Sequence, residues 1–146
     1  MPGNPAVLQT IKDTDWEVII KASVIGIAQG PYVFVDASAL KGAATDPRLS
    51  IVSLWWSLPP PMTTSGSLTS GLINAASFSL YWDATADVEI VHLFGNGNYN
   101  GGAQTMPALP NNAGDGITGD IMANWRSEYG SLIVRCRKVS GYDNIL

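Results

Sequence analysis

The sequence predicts an all-β protein: an antiparallel β-sandwich, jelly-roll-like, with about seven or eight strands and two long loops. Short runs of alternating apolar and polar residues recur along the chain, and segments rich in Gly, Pro, Asn and Asp separate them. No segment of ten or more residues shows apolar residues at the helical period of 3.6. The sequence therefore lacks the helices that a βαβ fold needs. A chain of 146 residues suits a single domain spanning residues 1–146.

Seven runs carry the strand pattern. They are 16–25, 32–36, 49–58, 77–82, 87–94, 117–125 and 131–139. An extended N-terminal segment, about residues 1–14, can begin with a short helix or form an edge strand, and the edge strand is favoured. The two long loops are 62–74 and 95–116. Alternation predicts these inward-facing residues: Trp16, Val18, Ile20, Ala22 and Val24; Phe78, Leu80 and Trp82; Val88, Ile90, His92 and Phe94.

Composition limits the function classes. Charged residues make up 14% of the chain, against about 25% in an average globular protein. Five Trp in so short a chain either fill a small core or lie in contacts with partner subunits. The net charge is −4 and there is no basic run, so we expect no nucleic-acid binding. No apolar run reaches the length of a membrane span, and the first residues lack the pattern of a secretory signal, so we expect the protein in the cytoplasm of the cell that makes it.

The stretch GNGNYNGG (95–102) resembles a phosphate-binding loop at first sight. The dinucleotide fingerprint needs G-x-G-x-x-G at the start of a helix, and the spacing from Gly97 to Gly101 is one residue too long. A P-loop needs Lys and then Ser or Thr, whereas Ala103 and Gln104 follow Gly102. Because Asn and Gly both tolerate positive φ, the stretch indicates a looping connection, and we expect no nucleotide cofactor.

Three further polar features are candidates for chemistry: His92, Cys136 and an aspartate pair. His92 is predicted to be a buried structural histidine, and Cys136 a small core residue with Arg135 and Arg137 on the opposite face. The pair Asp115 and Asp120 lacks the ligand spacing of a calcium loop, so we expect no metal.

One carboxylate pair has a spacing that acid–base chemistry can use. Asp87 and Glu89 share one face of a predicted strand, about 7 Å apart, although a solvent-facing strand edge explains them better. Arg135 and Arg137 can pair with such carboxylates, within the chain or across subunits. We therefore expect that the protein has no catalytic centre and is not an enzyme.

Five stretches together resemble small β-sandwich virion proteins of tailed bacteriophages. They are VDASALKGA (35–43), RLSIVSLWWSL (48–58), LYWDATADVEIVHLFGNGNY (80–99), PNNAGDGITGDI (110–121) and RKVSGY (137–142). The resembling proteins decorate or cement the head. The resemblance implies a jelly-roll-like structural protein that stabilises the capsid as a homo-oligomer, expected to be a trimer. Its implied partner is the phage major capsid protein, and its implied location is the capsid surface of the virion.

We expect the subunit or capsid contacts in three places. The first is the N-terminal arm, which can add to a neighbour's sheet edge. The second is the region of the adjacent tryptophans, whose side chains face opposite sides of one strand. The third is the loop around Tyr99. The candidate residues are Asn4, Val7, Leu8, Trp55, Trp56, Pro60 and Tyr99.

Two other functions stay open. A carbohydrate-binding module of a phage tail or fibre would use surface aromatics, with Trp56, Tyr81, Tyr99 and Trp125 as candidates. A small enzyme would use Asp87 with Glu89, or His92.

Overall fold

The structure, a computed structural model, describes residues 6–25, 31–58, 77–101, 106–126 and 129–143. Nine β-strands and a turn of 3₁₀ helix (Ala37–Ala39) lie within these ranges. The strands are β1 (Ala6–Asp13), β2 (Glu17–Ile25), β3 (Tyr32–Val35), β4 (Ala43–Ser57), β5 (Ser77–Trp82), β6 (Val88–Phe94), β7 (Asn96–Asn100), β8 (Ile121–Arg126) and β9 (Tyr129–Tyr142).

The strands form two antiparallel sheets. The five-stranded sheet has the order β1-β2-β9-β4-β7, and the four-stranded sheet has the order β3-β8-β5-β6. Without β1, the two orders are those of a jelly roll, in which two Greek keys interleave across a sandwich. The predicted antiparallel, jelly-roll-like sandwich is therefore confirmed, and β1 is an extra strand at one edge of it.

The core lies between the two sheets and comes from alternate residues of their strands. Phe78, Leu80 and Trp82 of β5 are at most 1% exposed, as predicted. Their counterparts on the five-stranded sheet are Val18, Ile20, Ala22, Leu49, Ile51, Leu54, Leu132, Val134 and Cys136. Trp16 departs from its prediction: it lies in the turn before β2 and is 63% exposed, because the strand begins only at Glu17.

A β-bulge at Ile90 changes which side of β6 faces the core. The ladder with β5 shifts register there and leaves Ile90 unpaired. Beyond it Leu93 is buried, whereas His92 and Phe94 face outward and are exposed. The predicted inward face running from Val88 to Phe94 is therefore wrong after the bulge, because strict alternation assumes an unbroken ladder.

The prediction of one loop over 95–116 is also wrong in its first part. Residues Asn96–Asn100 form β7, which pairs antiparallel with β4. Gly95 has φ +60°, which lets the chain turn directly from β6 into β7. Gly97 leaves room for the ring of Trp56, since a Cβ there would lie 2.5 Å from its Cζ2 atom.

Strand lengths also differ from prediction. β4 begins at Ala43 and β9 ends at Tyr142, so both are longer than the runs 49–58 and 131–139. β8 begins only at Ile121, after a turn. The second predicted loop, 62–74, lies outside the described residues.

Candidate functional site

Strand β1 forms an edge of the five-stranded sheet and carries exposed apolar side chains. Val7 is 59% exposed, Leu8 39% and Ile11 52%. The register with β2 shifts between Thr10 and Lys12, so Ile11 stays outside the ladder. Two predicted contact residues, Val7 and Leu8, therefore lie on a surface open to a partner. A third, Asn4, lies outside the described residues.

The adjacent tryptophans of β4 face opposite sides of the sheet. Trp55 lies on the outer face, 47% exposed, directly between Asn98 of β7 and Ile133 of β9. Trp56 lies on the inner side, where its Nε1 donates to the carbonyl oxygen of Phe94 at 2.9 Å. Trp55 is therefore the one of the pair that is open to a ligand or partner.

The remaining aromatic residues predicted to contact a sugar or a partner differ in how far they are buried and hydrogen-bonded. Trp125 is 3% exposed and stacks on Phe78, with ring centroids 5.3 Å apart. The Tyr99 hydroxyl donates to the carbonyl oxygen of Pro107, and its ring packs partly against the core. Tyr81 is half-buried. Trp125 is therefore no sugar-binding surface residue. The predicted contact Pro60 lies outside the described residues.

An open groove of about 930 Å³ lies on the five-stranded sheet beside the β1–β2 turn. Its charged lining residues are Asp15, Glu17, Arg135, Arg137, Lys138 and Asp143, and its other lining residues include Trp16, Ser50 and Val139. Sequence reasoning missed this groove, because its residues come from the β1–β2 turn, β2, β4 and β9. The signal that was available is the pair of arginines on one face of β9.

Glu17 neutralises part of the charge in the groove. Its side chain is 10% exposed, and its carboxylate accepts from Arg135 Nε at 2.8 Å and from Lys12 Nζ at 3.3 Å. The hydrogen bond from Arg135 lowers the pKa of this carboxyl below its usual value, and burial opposes that shift. Arg137 lies directly opposite Glu17 in the β2–β9 register. Among the described residues it has no ion pair or hydrogen bond through its side chain.

The only histidine differs from its prediction as a buried residue. The His92 side chain is 44% exposed and stacks on Phe94, with centroids 4.6 Å apart. Its Nδ1 lies 2.9 Å from Ser79 Oγ and 3.2 Å from Glu89 Oε1. A Ser–His–acid triad needs the hydroxyl and the carboxylate on different ring nitrogens. This cluster therefore lacks that arrangement.

Asp87 and Glu89, the carboxylates predicted to form a pair, have different hydrogen-bond partners. Asp87 lies in the turn before β6, and its Oδ1 accepts from the Ala84 N–H at 3.1 Å. Glu89 instead contacts His92. Asp120 accepts from the Ala37 N–H at 2.8 Å, and burial raises its pKa. Within the described ranges no three His, Cys, Asp or Glu residues are placed to hold a metal ion.

Cys136 lies in the core, as predicted. It is 1% exposed, and burial raises the pKa of its thiol to about 12. Arg135 and Arg137 lie on the opposite, exposed face of β9, also as predicted.

Comparisons with known proteins leave the family open. No protein-family model matches the chain, and no curated protein sequence matches it. Among solved structures, the chain is similar to a cupin domain from Bordetella pertussis Tohama I, with 11% identity and a TM-score of 0.38. The match covers 96% of this chain and 99% of the cupin domain. In the described part of the chain no helix has the length and apolar character of a membrane span.

Proposed function

We propose that this protein is a structural virion protein of a tailed phage that decorates and stabilises the capsid as a homo-oligomer, a trimer. The sequence resemblance to head-decoration proteins motivates the assignment. The structural observation that supports it is strand β1, which lies outside the jelly roll, forms an edge of the five-stranded sheet among the described strands and carries exposed apolar side chains.

Strand β1 is suited to binding a shell. An edge strand offers unpaired backbone N–H and C=O groups, to which a partner strand can add. Its side chains can contribute from both sides, because Val7 lies opposite the outward Ser23 and Leu8 lies opposite the buried Ala22. Fully burying one such side chain contributes about 1.5–3 kcal/mol. Many copies on one shell then add their contacts through multivalency.

The test uses capsid shells of the encoding phage that were assembled without this protein. We expect the wild-type protein to co-sediment with these shells and to raise their melting temperature. The double variant Val7→Asp/Leu8→Asp should lose both effects, because it places two charges on the apolar edge. Ala44→Asp introduces a charge at an exposed position of β4 and serves as the matched control. A wild-type protein that ignores the shells contradicts the proposal.

A second candidate function, sugar binding, is favoured by one observation. Trp55 exposes 47% of its surface on a sheet face where its neighbours are Ser53, Ser57, Asn98 and Ile133. An exposed indole in such a setting can pack against the apolar face of a sugar ring. If this is the function, glycan-array binding should vanish in Trp55→Ala and persist in Trp16→Ala, which removes another exposed tryptophan. Absence of glycan binding by the wild type contradicts it.

A further inference from the structure

Charged side chains are unevenly distributed over the sandwich. Cross-strand partners in a sheet lie on the same face, so the register identifies the charges on the outer face of the five-stranded sheet. They are Lys12, Lys21, Arg135, Arg137 and Glu17. Glu17 is already bound by two of the four cations. We call this surface the positive face, and it is positive although the chain carries a net charge of −4.

Negatively charged aspartates lie in three loops at one end of the four-stranded sheet. The residues are Asp36, Asp83, Asp87, Asp115 and Asp120, and we call this surface the acidic end. Hydrogen bonds join the loops: the Asp83 N–H donates to the Asp120 carbonyl at 3.1 Å, and the Thr85 N–H donates to the Asp115 carbonyl at 3.0 Å. None of the five aspartates forms an ion pair with a residue that the structure describes.

We propose that the positive face of one copy binds the acidic end of a second copy, with Arg137 in the contact. This inference rests on the homo-oligomer of the proposed function and is independent of the particle that it joins. The two surfaces carry opposite net charge and occur in equal numbers in any homo-oligomer. Within the described chain the positive face is only partly neutralised, by Glu17, which pairs with Lys12 and Arg135, and by Asp143, which lines the groove with Arg137. A contact between two different patches is heterologous, and it closes into a ring when the rotation permits.

The groove gives the contact its specificity. Arg137 has a planar guanidinium, which can bind a carboxylate through two parallel hydrogen bonds. Trp16, 63% exposed, and Val139, 49% exposed, provide apolar surface beside it. On the acidic end, Asp115 is exposed and lies beside the exposed Thr85 and Ala86 of the β5–β6 turn. This exposed carboxylate complements the guanidinium of Arg137, which has no side-chain ion pair or hydrogen bond among the described residues.

The test reverses one charge on each surface and measures molar mass by light scattering across a concentration series. Arg137→Glu and Asp115→Lys should each weaken self-association by about tenfold or more, because each places like charges across the contact. The double variant Arg137→Glu/Asp115→Lys carries the reversed pair. It should associate more tightly than either single variant, which a merely destabilised fold would not produce.

Two control variants separate the contact from general charge effects. Arg137→Lys keeps the positive charge but loses the paired hydrogen bonds, so it should weaken the association less than Arg137→Glu does. Glu89→Lys makes the same type of change as Asp115→Lys, but on the face of the four-stranded sheet outside the acidic end, and should leave the molar mass unchanged. Far-ultraviolet circular dichroism of each variant checks that it is folded.

Salt provides an independent measurement. The Debye length falls from about 10 Å at 0.1 M ionic strength to about 3 Å at 1 M. The wild-type oligomer should therefore dissociate more readily at high salt. An oligomer that is indifferent to salt and to Arg137→Glu overturns the contact but leaves the proposed function standing. A wild-type protein that is monomeric at every concentration overturns both, whereas loss of shell binding alone overturns only the proposed function.

Discussion

Lys138 Nζ lies 2.6 Å from Asp13 Oδ1, although the two residues are 125 positions apart in the chain. The lysine side chain is fully buried, and its ammonium also donates to the carbonyl oxygens of Thr14 and Lys41 and lies 5.0 Å from the centroid of the Tyr142 ring. Every donor of the ammonium group therefore has an acceptor. The contact joins the end of β1 and the segment after the 3₁₀ helix to β9, which fixes the end of the strand proposed to bind the shell.

Removing this ammonium should destabilise the fold. Lys138→Met keeps the aliphatic stem and leaves Asp13 without its cation, and a half-removed buried pair costs about 3–5 kcal/mol. Because Asp13 is 22% exposed, we expect a loss of about 2–4 kcal/mol in urea denaturation. Lys21→Met, a lysine of the outer face, should change the stability by about 0.5 kcal/mol or less. Equal stabilities of the two variants would contradict the role given to Lys138.

Gly97 should resist substitution although it lies in an edge strand. A Cβ at this position would lie 2.5 Å from Cζ2 of Trp56, so the indole must move and strain its hydrogen bond to Phe94. We expect Gly97→Ala to cost about 1–3 kcal/mol, the usual cost of overpacking. Gly114 has open space around its Cβ position, so Gly114→Ala should be neutral or stabilise by up to about 1 kcal/mol. Thermal unfolding followed by tryptophan fluorescence compares the two.

Glu17 should make stability depend on pH in the acidic range. The hydrogen bond from Arg135 holds its folded-state pKa below the ordinary value of 4.5. A lowered pKa means that the carboxylate stabilises the fold above pH 4.5, and that this contribution is lost as the pH falls through the folded-state value. Unfolding free energies of the wild type and Glu17→Gln should therefore converge on acidification.

The matched variant for this measurement is Arg135→Met. It removes the largest cause of the pKa shift and leaves the carboxylate and Lys12 in place. Its pH profile should be flatter than that of the wild type. A difference between wild type and Glu17→Gln that stays constant from neutral pH to below pH 4.5 contradicts the assignment.

Cys136 should be inert in the folded protein. Burial raises the pKa of its thiol to about 12, so the thiolate needed for reaction is scarce at neutral pH, and the sulfur is shielded in the core. A thiol-specific chromogenic reagent should react slowly with native protein and at the rate of a free cysteine after unfolding in urea. Rapid reaction of the native protein would show that the core opens at β9.

The arrangement of the strands was predictable where the ladder is regular. In β5, alternate residues from Phe78 to Trp82 are buried as the pattern requires, and in β9 the buried Cys136 separates two exposed arginines. A half-buried sheet imposes the period of two, so sequence alternation and burial agree. The same pattern also placed Trp55 and Trp56 on opposite faces.

Irregularities were not predictable from alternation. The bulge at Ile90 inverts the second half of β6, so the one histidine faces outward, where the sequence indicated a buried residue. β7 has no apolar pattern of its own, because it is an edge strand of Asn, Gly and Tyr that is held by pairing with β4. The residues of β7 do not by themselves indicate that β4 pairs with them and holds them in an extended conformation.

The sequence by itself determined the fold class and which residues of the regular strands face the core, because both depend on the periodicity of neighbouring residues. It also showed that the spacing of Gly97 and Gly101 differs from that of a phosphate-binding loop, because this depends on motif spacing alone. Only the tertiary structure decided which charges meet. Glu17 reaches Arg135 over 118 positions and Lys138 reaches Asp13 over 125. Such pairs arise from the order of strands in the sheets, and no spacing along the chain encodes that order.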